Sequence, residues 1–433
     1  MRRLVAPLLL LAGLWLLATG PAAAAHGALR ASDPPGGASL RRPPHAVTLT
    51  FSEAPDPALS SIRVLDAGGR AVAAGRPERV PGQPLELRAP VHGLSKGTYT
   101  VSWRTVSAVD GHPTAGTFAF GVGVGAPTLP PAQAVAAARG TPPPSPLAVA
   151  GRWAYYWGLT LLLGAAATGL LVFDRRLPGR PGPLLGLAVL AAAAGLLAMM
   201  VAARADAGVS FGRLLGSTTG VWLAWRAVML AAAAGATVGL LLAGPGKGRP
   251  LVVVGLAAAG GMLVHALAGH AAGPSPLRVL NLAAQWAHLL AVGVWIGGLA
   301  WLLAGLHGRA RLAAVRFSKL AGASLAVVVV TGLARGLEEL GGWQAALHSG
   351  FGRTLGIKLV LFAGLLLLGA LNRYRLVPAL AVPARRHATG RLRRSVGGEL
   401  WLAAGVLLAA ALLSELPPGA TAGAVAAGQR PAA

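Results

Sequence analysis

Cysteine is absent from the 433 residues. That excludes disulfides and thiolate metal sites, and leaves histidine, methionine and carboxylate for any soft-metal chemistry. Methionine is itself rare: there are five, and none lies between residues 26 and 150. Acid is scarce too, with 13 Asp and Glu against 38 Lys and Arg, for a formal net charge of +25. Charged residues make up only 12% of a chain that is 55% hydrophobic, with a mean hydropathy of +0.62. Such a composition is too apolar for a soluble protein of this length, so most of the chain belongs in a bilayer. The excess of Lys and Arg lies mainly in short links between apolar stretches rather than on one amphipathic face, which speaks against a nucleic-acid partner. No G-x-x-x-x-G-K-[ST] loop is present, which argues against nucleotide-driven pumping within this chain.

Residues 1–25 read as an export signal. Arg2 and Arg3 form a basic start, Leu8–Leu17 an apolar stretch and Ala23-Ala24-Ala25 a small-residue cleavage site, so the exported chain would begin at His26. Over 26–125 the composition changes to short alternating runs broken by Gly, Pro and Asp. In His45–Ser52, Val47, Leu49 and Phe51 share one face and Thr48 and Thr50 the other, the pattern of a half-buried strand. Further strands are predicted at Ser61–Leu65, Leu85–Arg88, Thr98–Ser107 and Thr117–Val122. The expected fold is a small all-β sandwich of the Ig- or cupredoxin-like Greek-key type.

Residues 126–150, rich in Pro and Ala, read as a semi-extended linker, and 417–433 as a disordered tail. Between them, 151–416 holds eight apolar segments near the ~20 residues that cross a bilayer. They fall at 152–173, 183–203, 221–243, 251–270, 281–306, 318–335, 354–373 and 396–416, which predicts an all-α polytopic domain of eight transmembrane helices. An even count returns the C-terminus to the side of the exported sandwich. The charge pattern agrees: Arg175, Arg176, Arg180, Lys247, Arg309, Arg311, Arg375 and Arg391 fall in links assigned to the inside, and the outer links carry few basic residues. The expected location is the cytoplasmic membrane, with the sandwich and C-terminus on its periplasmic or extracellular side.

Cleavage before His26 would present an α-amine and an imidazole together. Downstream, Ala108-Val109-Asp110-Gly111-His112-Pro113 follows the strand Thr98–Ser107, and in an extended backbone Asp110 and His112 share a face. With His26 they make a set of amine, two imidazoles and a carboxylate, a tetragonal N/O arrangement suited to Cu(II). The competing reading is a turn-capping Asp beside a surface His. His45 and His92 are Pro- or Gly-flanked without a partner at ligand spacing and read as solvated, and Glu53 reads as a turn residue or an outer support for the site. The stretches His26-Gly27-Ala28-Leu29, Val47–Ser52, Tyr99–Arg104 and Asp110-Gly111-His112-Pro113 resemble the CopC family of periplasmic copper-binding β-sandwiches. The resemblance implies that His26, Asp110 and His112 bind Cu(II). The absence of methionine from this region speaks against the Cu(I) thioether site that some members carry.

Polar residues within spanning segments are costly and therefore functional candidates. The densest set is His265 and His270 on the fourth segment and Asn281, Gln285 and His288 on the fifth; the last three, spaced i, i+4, i+7, form one stripe. His265 and His288 fall at comparable depth and are candidates to share a metal, with His270 as a ligand at the mouth. Hydrogen bonding between helices and bis-His haem ligation are the alternatives. Arg226 is deep in the third segment and receives no role. The runs His265–His270, Trp295-Ile296-Gly297-Gly298-Leu299, Phe351-Gly352-Arg353 to Lys358, Leu371–Arg375 and Leu392–Val396 resemble the CopD family of inner-membrane copper proteins. Many members have an acid just before the fifth-segment histidine, where this chain has Gln285.

Together the resemblances imply a CopC–CopD fusion that binds copper outside the membrane and transports it, inward by family analogy, without enzymatic activity. Copper would be both ligand and cargo, and periplasmic or extracellular copper chaperones would be its partners. A membrane oxidoreductase or haem electron carrier, and an anchored copper buffer or sensor, are the rival functions.

Overall fold

The structure, a computed structural model, describes residues 27–72, 75–109, 111–125, 143–244, 246, 248–273, 276–306, 310–340, 349–381 and 387–416, without the side chains of 270, 310 and 337–340. Among the described residues the N-terminal part has nine strands: β1 Leu29–Asp33, β2 Ser39–Leu40, β3 Ala46–Phe51, β4 Ser61–Leu65, β5 Ala71–Val72, β6 Glu78–Val80, β7 Gln83–Pro90, β8 Gly97–Val106 and β9 Pro113–Val122. They form two sheets, ordered β1-β3-β7-β6 and β2-β9-β8-β4-β5. All pairings are antiparallel except the short β2–β9 pair. Alternation in β3 gives the expected result: Val47, Leu49 and Phe51 are buried and the residues between them half-buried.

Both sheets contribute to one core, in which Leu49, Leu87 and Ala89 of the first face Val64, Val101 and Phe120 of the second. Phe51 meets Trp103 edge-on, with ring centroids 5.3 Å apart, and Tyr99 stacks on Phe120 at 5.7 Å. Strands β1, β2, β5 and β6 go beyond the sequence-based reading. They are short or weakly buried, and cross-strand pairing rather than hydrophobic alternation holds them extended.

Eight long helices follow among the described residues: α1 Pro146–Leu171, α2 Pro181–Ala207, α3 Thr218–Ala243, α4 Gly248–Leu267, α5 Arg278–Gly305, α6 Ala310–Leu340, α7 Gly350–Ala379 and α8 Ala388–Leu413. Each is long and apolar enough to cross a membrane, in agreement with the eight segments expected. Helix α1 begins at Pro146 rather than at 151, inside the segment read as linker. Proline is tolerated at the first helical position, where its missing N–H has no intrahelical acceptor. Helix α4 stops at Leu267, short of the expected 270, and His270–Ala272 forms a separate 3₁₀ turn.

Helices α5 and α7 each contain one π-turn, Gly293–Gly297 and Asn372–Leu376. The first lies where α5 meets α1: a Cβ on Gly164 would come within 2.5 Å of Gly297 Cα, and one on Gly297 would collide with the Thr160 carbonyl. Glycine therefore permits the closest backbone approach in the domain. The indole of Trp301 then donates to the Leu161 carbonyl at 2.9 Å, and that of Trp153 to the Ala404 carbonyl at 3.0 Å, joining α5 and α8 to α1. Leucine and valine are exposed along α2, α3, α4 and α7, as expected of helices whose outer faces meet lipid.

Candidate functional site

Strands β8 and β9 pair from Gly97↔Val122 to Val106↔Pro113, and the loop between them carries the expected metal residues. The loop is a tight turn. The Ser107 N–H donates to the His112 carbonyl at 2.9 Å, the Gly111 N–H donates to the Ser107 carbonyl at 2.9 Å, and Gly111 has φ +78°. Gly111 itself therefore lacks the extended backbone expected between Asp110 and His112, and Asp110 lies outside the described residues. A residue without Cβ accepts the positive φ that reverses the chain between two paired strands.

His112 is 7% exposed. Ser107 Oγ donates to Glu53 Oε2 at 2.9 Å and accepts from the Val109 N–H at 3.1 Å, while the Ala108 N–H donates to the Ala54 carbonyl at 2.8 Å. Glu53 thus braces the loop through Ser107, a support role the sequence had only as an option.

The first described residues are fastened beside the same loop. Thr114 Oγ1 donates to the Gly27 carbonyl at 2.8 Å and lies 3.0 Å from Thr105 Oγ1. The Ala28 N–H donates to Ser52 Oγ at 3.0 Å, and the Ser52 N–H donates to the Ala28 carbonyl at 2.9 Å. Gly27 is therefore held by a residue two positions after His112. His26 and Asp110 lie outside the described residues, and among the described residues no group of three His, Asp or Glu is placed to hold a metal. His45 and His92 are exposed, as expected.

In the helical domain, the start of α1 meets the ends of α4 and α8 in a polar cluster. Tyr156 Oη is 3.1 Å from His265 Nε2 and 3.2 Å from Ser414 Oγ, and Ser414 Oγ donates to the Ala410 carbonyl at 2.9 Å. Arg226 Nη2 lies 3.4 Å from His265 Nδ1. The direction of this chain follows from its ends. Guanidinium only donates, so His265 Nδ1 carries the lone pair and Nε2 the proton; the one Ser414 hydrogen goes to Ala410, so Ser414 accepts from Tyr156. In this arrangement the only free lone pair of His265 is capped by Arg226, which is 6% exposed and makes no ion pair among the described residues. Arg226, without a role in the sequence, now has one as the partner of His265.

His288 has the opposite polarity. Thr331 Oγ1 donates to the Val327 carbonyl at 2.6 Å and lies 2.8 Å from His288 Nδ1, so His288 donates from Nδ1 and keeps its lone pair on Nε2. A metal-binding imidazole is held in this way, with its second nitrogen hydrogen-bonded to an outer group. Asn281, Gln285 and His288 are each half-buried, and His288 of this stripe faces α6 at Thr331 and Gly332. His270 sits in the 3₁₀ turn beyond α4, and its side chain lies outside the described residues.

One buried carboxylic side chain of the helical domain was missed in the sequence. Glu399 of α8, 2% exposed, accepts from Asn372 Nδ2 at 2.9 Å. Its signal was available: it is the single acid within the run Ser395–Leu413.

Comparison with known proteins gives the chain a class. Residues 29–123 match the CopC domain, and residues 311–413 match Copper resistance protein D. The chain belongs to the CopC family through its sandwich and joins that domain to a CopD domain in one polypeptide. It is 24% identical over 440 residues to the Copper transport protein CutJ of Bacillus subtilis (strain 168), covering 91% of this chain and 74% of that protein. It is 33% identical over 103 residues to Protein YobA of Escherichia coli (strain K12), covering 24% of this chain and 82% of that protein. Among solved structures, CopC from Methylosinus trichosporium OB3b matches at 31% identity with a TM-score of 0.22, over 24% of this chain and 100% of that one.

Proposed function

We propose that this protein binds Cu(II) outside the cytoplasmic membrane through His26, Asp110 and His112, and carries copper inward through its eight-helix domain in copper homeostasis and resistance. It acts as a binding and transport protein, not as an enzyme. The reading takes residues 1–25 as a removed export signal, 26–125 as the copper-binding domain, 126–150 as its tether and 151–416 as the path. The observation that carries it is the fastening of Gly27 to Thr114. The reading needs a first-residue amine and imidazole near the loop of His112, and Gly27, the neighbour of residue 26 in the chain, is fastened beside that loop. One amine, two imidazoles and a carboxylate are a donor set that fits Cu(II). Transport is supported by the homology to CutJ over most of both chains.

Within the membrane domain, His288 is the ligand ready to bind, through Nε2. His265 joins it once the Arg226 guanidinium leaves Nδ1, and His270 serves the mouth of the path. Arg335 and Lys358 stand close enough to His288 to act on it electrostatically, as Arg226 does on His265. Copper uptake into proteoliposomes tests the assignment. His288→Ala is expected to lower the initial rate about tenfold or more, in line with loss of a metal ligand or its support. Wild-type flux in that variant would remove His288 from the path.

A further inference from the structure

Glu399 and Asn372 meet at the end of the bundle opposite His265, where α8 begins and α7 finishes. Both line a cavity of about 320 Å³ whose other walls include Trp295, Phe317, Leu365 and Arg373. Asn372 is 8% exposed and belongs to the π-turn of α7. Its Nδ2 serves Glu399, while its Oδ1 is buried without a hydrogen-bond partner. Among the described residues, Glu399 pairs with no cation. Arg373 is turned toward α6, its Nη1 2.6 Å from the Ser318 carbonyl and 3.2 Å from Ser318 Oγ. Tyr374 is the other titratable group that reaches the cavity; α5, α6 and α8 itself add none besides Glu399, and α1 sends no residue there. Among the described residues the ion pair Arg316–Asp174, at 2.7 Å, links α6 to the end of α1.

A carboxylate in such surroundings would be a buried charge with one neutral partner, a costly arrangement. A neutral carboxyl removes that charge and adds a donor, next to an amide oxygen that has none. The donor set also selects its ion. Carboxyl and amide oxygens are hard ligands unsuited to Cu(I), and they are too few for a calcium-like ion that takes about six to eight oxygens.

We propose that Glu399 is a proton-exchange site: it holds a proton in the cavity and releases and regains it as copper crosses, so that the domain moves protons together with its metal. Uptake forms one O–H bond, at the oxygen that Asn372 Nδ2 does not engage, with a proton drawn from water. Release breaks that bond, returns the proton to water and leaves the carboxylate, and no electron moves. The coupling to copper rests on the transport reading above; the bound proton does not.

Two measurements on the full-length protein test this. Infrared spectra of the purified protein in nanodiscs are expected to show a carboxylic C=O band near neutral pH. The band should be lost in Glu399→Gln and displaced in Asn372→Ala, which keeps the carboxyl but removes its donor. In proteoliposomes holding a pH-sensitive dye, a copper pulse should change internal pH in the wild type, and Glu399→Gln should reduce that change about tenfold or more. Absence of the band, or copper uptake with a pH change equal in wild type and Glu399→Gln, overturns the proposal. If wild-type vesicles take up no copper, the transport reading fails and the band alone decides the proton site. If Glu399→Gln fails to fold, the displacement in Asn372→Ala and a pH titration of the wild-type band serve in its place.

Discussion

At the residue scale, two hydroxyls decide what the membrane histidines can do. Thr331 gives its one hydrogen to Val327 and so receives the His288 Nδ1 proton, which leaves Nε2 for a metal. Ser414 gives its hydrogen to Ala410, and through Tyr156 that choice makes His265 Nδ1 the acceptor for Arg226. Thr331→Val keeps the shape but removes the acceptor, so the His288 proton is no longer directed to Nδ1. Copper affinity, read from uptake rate against copper concentration, is expected to fall about 10–100-fold, the usual effect of losing a metal ligand's outer partner. Thr331→Ser, which keeps the hydroxyl, should stay close to wild type. The partners of the two histidines were not legible in the sequence, because each is a contact between helices. Thr331 lies 43 residues from His288, and Arg226 lies 39 from His265.

At the scale of elements, the π-turn of α5 and the glycines around it set the contact with α1. Gly297 stands against the Thr160 carbonyl and Gly298 against Phe317, so there is no space for a methyl group. Gly297→Ala is expected to cost about 1–3 kcal/mol, as overpacking does, and to lower the thermal midpoint in detergent. Gly186→Ala on α2, where a Cβ would meet nothing within 4 Å, should be neutral or slightly stabilising. The Trp295–Gly298 run stood out in the sequence, yet its function as a close-packing surface required α1 to be in place. Strands show the same division. β3 and β4 were legible from alternation of buried and open positions. β1 was not, since its Leu29–Asp33 residues are half-buried or exposed and are held by pairing with β3.

At the scale of the whole molecule, joining a copper-binding domain to a membrane path raises the local concentration of donor at that path. Cleavage within residues 126–142, by an inserted protease site, is expected to lower uptake about tenfold or more at scarce copper and to leave it unchanged at saturating copper. Equal uptake before and after cleavage at both concentrations would show that the tether has no kinetic role. The same comparison on protein extended by one residue before His26 separates binding from tethering. On the proposed site it should lose an amine ligand, and with it the Cu(II) spectrum that site predicts, whether or not the chain is cut.

The sequence by itself determined the two solvents in which this chain folds, the eight spans, the central strands, and the residue types available to a metal once cysteine was absent. These follow from composition and periodicity, which depend on neighbours a few positions apart. Tertiary structure decided the turn at Gly111, the fastening of Gly27 to Thr114, the tautomers of His265 and His288, and the burial of Glu399 beside Asn372. Each of these depends on hydrogen bonds or contacts between elements distant in sequence, or on the geometry they impose. The number and direction of such bonds cannot be set until the helices and strands are packed.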